Sequence, residues 1–212
     1  MNNVQPHPNE HPPGPDPDDD WLLVEQVRAG DDRAFETLME RHRRPVLNLV
    51  FRLIGDADEA QDVAQTVFVR AYKTLHDPVF RRTTARFPTW LFQVARNAAI
   101  DCLRRRRRHP TEPLAILAEG GESLAARQAT AAETAVIRET GAAIAAAVAR
   151  LPEDQRTAVI LSEYERLSDS EIAAVMRCSA KSVEARLYRA RRFLREQLRF
   201  LLAETERSST HK

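Results

Sequence analysis

Between Phe35 and Ile54 the residues Phe35, Leu38, Met39, Val46, Leu49, Val50, Leu53 and Ile54 return at three- and four-residue steps. That period lines one face of an α-helix and cannot line one face of a strand, which needs a step of two. The same step recurs from Ala60 to Leu75 and from Leu91 to Cys102. Strand-forming aromatics are only 6% of the chain and Gly occurs six times, while Ala, Leu, Arg and Glu dominate. These are strong helix formers, so an all-α fold is expected.

Helix limits follow from the breakers. A first helix spans about Trp21–Ala29 and stops at Gly30. The second runs from about Asp32 to Ile54, with a kink or break expected near Arg44, ahead of Pro45. Gly55 ends it, and Asp56 with Glu59 three residues on predicts a capping box for the third. That helix turns Ala60, Val63, Ala64, Val67, Phe68, Ala71, Tyr72 and Leu75 inward, and shows Gln61, Asp62, Gln65, Thr66, Val69 and Lys73. Residues 76–87 read as a loop, and Pro88 suits the first turn of a fourth helix that ends in Arg104–Arg108.

Composition divides the rest. Residues 1–20 carry six prolines and an Asp18–Asp20 run, which predicts a disordered acidic tail. Residues 109–131, with Pro110, Pro113, Gly120 and Gly121, read as a flexible linker. The expected organisation is therefore a tail (1–20), a helical domain (21–108), a linker (109–131), a second helical domain (132–203) and a polar tail (204–212). The net charge of +1 hides its distribution: residues 1–30 sum to −5, residues 76–108 to +7 and residues 168–200 to +4. Two basic zones on one chain point to nucleic acid.

Other classes fit poorly. Cys102 and Cys178 lack Cys or His neighbours at zinc spacing, so reduced thiols are expected and no metal or cofactor. No run of about 18 apolar residues is present and the N-terminus lacks an apolar signal region, so a cytoplasmic location is expected. Gly-rich phosphate loops, H-E-x-x-H and nucleophile-elbow patterns are missing, and no small-molecule substrate is expected.

The most specific pattern is LSDSEIAAVMRCSAKSVEARLYRARR, Leu167–Arg192. Ser168 and Glu171 form a capping box, Ile172, Ala173 and Met176 an apolar edge, and Ser179 a second cap. Val183 and Leu187 face back toward Ala173. This is a helix-turn-helix, with Arg177-Cys178 in a turn that usually favours Gly. The outward face of its second helix holds Lys181, Ser182, Glu184, Ala185, Tyr188, Arg189 and Arg192.

With the preceding LPEDQRTAVILSEYERLS (Leu151–Ser168), this stretch resembles the −35 reading domain of bacterial extracytoplasmic-function sigma factors. GDADEAQDVAQTVFVRAY (Gly55–Tyr72) resembles that family's polymerase-binding helix, and FPTWLFQVARNAAIDCLRRRRR (Phe87–Arg108) its −10 element helix. The resemblance implies two all-α domains that bind core RNA polymerase and promoter DNA, with control by an anti-sigma factor.

Site residues follow from the matched motifs. Core binding falls to Asp62, Gln65, Thr66 and Val69, with Phe68 as buried anchor; Gln61 and Thr66 depart from the family's acids. The −10 site falls to Arg81, Arg82, Thr84, Arg86, Phe87, Arg96, Asn97, Arg104 and Arg105. Phe80 or Phe87 is expected to stack on a base. Trp90 is expected in the core. The run Arg104–Arg108 should self-repel without a polyanion, so DNA phosphates are its expected partners. The −35 reader is Ser179, Lys181, Ser182, Glu184, Ala185, Tyr188, Arg189 and Arg192. Glu184 either accepts from cytosine N4 or turns toward Arg186 or Lys181. A helix-turn-helix activator or repressor acting without polymerase is the alternative, and it leaves the basic zone at 76–108 unexplained.

Overall fold

The computed structural model describes residues 17–83, 85–108 and 131–199. Thr84, most of the acidic tail, nearly all of the linker and residues 200–212 lie outside the described residues. Eight helices are described: α1 (Pro17–Arg28), α2 (Asp32–Ile54), α3 (Ala57–His76), α4 (Phe87–Arg108), α5 (Ala131–Ala149), α6 (Glu153–Glu163), α7 (Asp169–Met176) and α8 (Ala180–Gln197). The described residues are helical or irregular, without a strand. No helix among them is long and apolar enough to cross a membrane.

Caps set most of the ends. Asp31 accepts from the Arg33 amide at the start of α2, Asp56 from the Glu59 amide at the start of α3. Gly55 closes α2 with φ 79°, a left-handed conformation that a side chain would strain. Only half of the capping box expected on α3 forms. The Glu59 carboxylate instead accepts from the Cys102 thiol at 3.8 Å and pairs with Arg106 at 3.6 Å.

Two expectations need correction. Pro45 lies inside α2, which remains one helix of 23 residues. Proline costs the helix a donor, but Leu38, Val46, Leu49 and Leu53 on both sides of it are buried, and the helix does not break there. And α1 begins at Pro17, inside the stretch read as tail. The acids there do not simply repel. Asp19 pairs with Arg41 at 3.0 Å, and the Asp20 carboxylate accepts from Arg41 at 3.1 Å and His42 Nε2 at 2.9 Å. Burial pushes the Asp20 carboxyl up, but the bonds and charges of His42 and Arg41 outweigh it and hold the group below its usual value.

Helices α1–α4 bury Val24, Val27, Leu38, Leu49, Val67, Leu75 and Leu91, helices α5–α8 bury Leu151, Ile160, Leu161, Ile172, Val183 and Leu187, and all of them belong to one continuous apolar cluster. The two groups meet where α4 packs on α7 and α2 packs on α6.

Candidate nucleic-acid interface

The outer face of α3 carries Asp62, Gln65, Thr66 and Val69, all exposed, while Phe68 is buried one position away. Val69 is 49% exposed, an apolar side chain that the buried cluster leaves uncovered. The Thr66 hydroxyl donates to the Asp62 carbonyl at 3.0 Å, so it is committed to its own helix. Toward α4 this face opens into a groove of about 370 Å³, lined among others by Thr66, Arg70, Asp101, Arg104, Arg105 and Arg108. The groove brings Thr66 from one expected site beside Arg104 and Arg105 from another, and adds Arg70 and Arg108.

The arginine run at the end of α4 is not bare. Arg106 pairs with Glu59, and Arg107 reaches Glu153 of α6 at 3.9 Å. Nearby acids of this chain therefore meet part of the repulsion that was expected to require a polyanion. Arg104 and Arg105 remain exposed.

In the loop before α4, Arg81 donates to the Pro78 and Phe80 carbonyls at 2.6 and 3.0 Å. Arg82 lies 5.4 Å from the Trp21 ring centroid. Phe87 requires a correction. It is 1% exposed, edge-on to Trp21 at 5.7 Å and within 5.5 Å of His42 and Trp90. The apolar period that opens α4 starts at Phe87 and drives this ring inward, so in this conformation it is packed rather than offered to a base. Trp90 is buried, as expected, with its ring 5.5 Å from Phe80. Phe80 is the half-exposed ring of the group.

Arg96 and Asn97 are on the side of α4 that faces α6. Arg96 Nη2 donates to Asp154 at 3.2 Å and Nη1 to Asn97 Oδ1 at 3.5 Å, and its side chain is 14% exposed. Arg86 pairs with Glu171 at 3.8 Å, and Gln93 donates to the Ala174 carbonyl at 3.3 Å.

The helix-turn-helix is α7 and α8. Its capping box is complete: the Ser168 hydroxyl accepts from the Glu171 amide, and the Glu171 carboxylate accepts from the Ser168 amide at 2.9 Å. Arg177 ends α7 in the left-handed conformation, φ 51°, where Gly is the usual choice. Its amide nevertheless caps the Ala173 and Ala174 carbonyls, and Ser179 caps α8 by accepting from the Ser182 amide. Val183, Leu187 and Ala190 are buried, so Lys181, Glu184, Tyr188, Arg189 and Arg192 are turned outward, with Tyr188 70% exposed. Ser182 and Ala185 are half-buried. A cleft of about 450 Å³ passes Glu184, Tyr188 and Arg192 along this face.

Of the two alternatives for Glu184, the turn toward Arg186 does not form. Arg186 points inward, donating to Cys178 Sγ at 2.9 Å and to Asp154 at 3.1 Å. Sequence reasoning missed Asp154, whose two oxygens serve different domains. It also missed Arg156, which donates to the Leu53 carbonyl in α2 at 3.1 Å, and Arg52, stacked 3.7 Å from the Tyr164 ring centroid. An apolar period cannot reveal them, because every one is a charged residue off the buried stripe.

Comparison with known proteins agrees with this geometry. The Sigma-70 region 2 family matches residues 38–109, which include α3 and α4, and the Sigma-70 region 4 family matches residues 141–194, which include the helix-turn-helix. The RNA polymerase sigma-H factor of Pseudomonas aeruginosa is 40% identical over 190 residues, 87% of this chain and 96% of that protein. The ECF RNA polymerase sigma-E factor of Escherichia coli K12 is 38% identical over 176 residues, 81% of this chain and 90% of that one. Among solved structures, CnrH in complex with the cytosolic domain of CnrY superposes with a TM-score of 0.62 at 26% identity, covering 84% of this chain and 96% of that one. Two separate matches in the order of the two helical domains, and relatives that span nearly the whole chain, show that this protein belongs to the extracytoplasmic-function sigma factors of bacterial RNA polymerase.

Proposed function

We propose that this sigma factor joins core RNA polymerase through the outer face of α3, reads the −10 element with the 81–87 loop and α4, and reads the −35 element with α8. The domain limits that go with this reading are 21–108 and 132–203. The observation that carries it is the geometry of α8: a capped helix whose inner face is fully buried while Lys181, Tyr188, Arg189 and Arg192 stand clear in a row. A cationic helical face of this kind fits a major groove, phosphates fixing its register and base edges its choice of sequence.

Asp62, Gln65, Thr66 and Val69 supply the polymerase contact, with Val69 giving apolar area and Asp62 and Gln65 polar bonds. Arg81, Arg82, Thr84, Arg86, Arg96, Asn97, Arg104 and Arg105 serve the −10 strand, with Phe80 rather than Phe87 as stacking ring. Glu184, with no side-chain partner among the described residues and an exposed position on α8, accepts from cytosine N4. The protein acts in the cytoplasm and catalyses no chemistry itself. A solved relative is bound to the cytosolic domain of CnrY, which supports control of this chain by an anti-sigma factor.

Run-off transcription with purified core polymerase on a promoter library tests the reading. Transcripts that start at a fixed distance from a shared pair of elements are expected. A chain that binds duplex tightly alone and adds nothing to core polymerase overturns it.

A further inference from the structure

Trp21 and Arg28 are seven residues apart on α1, about two helical turns, so both side chains leave the helix on the same side. That side meets both ends of the segment that joins α3 to α4. At its start, Arg28 Nη1 donates to the Leu75 carbonyl at 3.0 Å and to the Asp77 carbonyl at 3.3 Å. At its end, just ahead of α4, Trp21 Nε1 donates to the Ala85 carbonyl at 3.2 Å. Between the two ends the Phe80 ring is stacked on Trp21 at 6.4 Å, and the Arg28 guanidinium lies 5.8 Å from its centroid.

The bonds that this segment makes to itself are short-range. The Val79 and Phe80 amides both donate to Asp77, and the Thr83 hydroxyl donates to the Ala85 carbonyl at 3.4 Å. Such bonds turn a chain locally but do not place it against a neighbouring element. Helix α1 does place it, and α1 is itself anchored. Asp20, next to Trp21 and 4% exposed, is bound to Arg41 and His42 of α2. Trp21 is 2% exposed. Any large apolar residue would fill that space. Trp adds a donor, and a buried indole N–H requires an acceptor, which here is a loop carbonyl.

We infer that α1 is a bracket that sets the conformation of the −10 loop, with Trp21 and Arg28 as positioning residues for promoter recognition. The inference rests on the proposed role of the 81–87 loop and Phe80 in reading the −10 strand. A loop held in place before the strand arrives has less freedom to lose on binding. A wrong base then meets a fixed surface that does not adapt to it. The bracket therefore governs the choice of −10 base, and it leaves the −35 reader on α8 untouched.

Holoenzyme assembled from the full chain and core polymerase tests this. Run-off transcription reads the preference among single-base variants of the −10 element and, separately, among those of the −35 element. W21F keeps a buried ring and removes the donor. R28A changes an exposed side chain and is the second variant should W21F fail to fold, which thermal melting shows. E25Q, exposed on α1 away from the loop, is the control. The expected result is that W21F and R28A each lower the preference for the best −10 base about fivefold, the size of one net hydrogen bond. Preference at −35 and affinity for core polymerase stay at wild-type values. Unchanged −10 preference in R28A overturns the bracket. Equal losses at −10 and −35, or an equal loss in E25Q, overturn it too, since a general loosening of the chain then accounts for the effect. The R81A/R82A chain, altered in the loop itself, separates the two claims. If it keeps wild-type −10 preference, the loop does not read the element and the −10 assignment is the part that failed. If it loses that preference while W21F and R28A keep it, the bracket alone has failed.

Discussion

The two basic zones of this protein use the same side chain under different circumstances. On α8 the outward arginines Arg189 and Arg192 are exposed along a capped helix whose inner face is closed. On α4 and the turn before it, Arg86, Arg96, Arg106 and Arg107 are each paired with a carboxylate of this chain. A count of charge marks both zones as basic, +7 for residues 76–108 and +4 for residues 168–200. What separates them is whether an acid from elsewhere in the chain arrives at hydrogen-bonding distance, and only three-dimensional packing decides that. The −35 face is presented, whereas the −10 face is partnered.

The largest test of the comparison lies at its boundary between packing and recognition. Phe87→Ala should cost the first domain about 3–5 kcal/mol, the usual loss for a buried aromatic. Thermal melting should then show a destabilised first domain. Unchanged melting with lost promoter opening would return Phe87 to the DNA site. Next in size, Arg189→Ala should weaken duplex binding in the holoenzyme by about 1–3 kcal/mol if the guanidinium is bidentate to guanine. Point variants of the −35 element decide it: uniform weakening across all of them removes Arg189 from base reading. Ser168→Ala, which breaks the capping box without touching DNA, should lower stability by about 1 kcal/mol. A loss of promoter affinity larger than the loss of stability would mean that α7 does more than support α8.

The smallest effect expected is a pH dependence from Glu165, beside Arg52 at the seam. Burial pushes its carboxyl up to about 7, with the Arg52 charge pulling the other way. The folded chain therefore keeps a proton that the unfolded chain releases near about 4.3. The associated stability is complete below that value and is lost as pH rises toward 7. Glu165→Gln should flatten this slope in melting temperature between those limits. A wild-type slope that persists in the variant would assign it to another group. The residue is only half-buried, so solvent screening keeps the amplitude small.

Much of the fold was legible along the chain because it is local. Ser168, Glu171 and Ser179 specify their caps within three residues, and the periods that bury Val183 and Leu187 are visible in one helix. Pro45 misled because the reading weighed one lost donor against propensity, when four buried neighbours on both sides decide the outcome. Asp20 misled for the same reason: a run of acids looks repulsive until Arg41 and His42 arrive from another helix. For the candidate site, the outward face of α8 could be read from its period. The occupancy of Arg96 could not, since Asp154 lies 58 positions away and no local pattern joins the two.

Asp154 has one oxygen for each domain: Oδ1 holds Arg96 and Oδ2 holds Arg186. A carboxylate divided in this way behaves like a junction with two sockets, one of which stays wired to its own module. Through it, one turn of α6 holds a side chain of α4 and a side chain of α8 at once, so a single carboxylate sets the register of both helices.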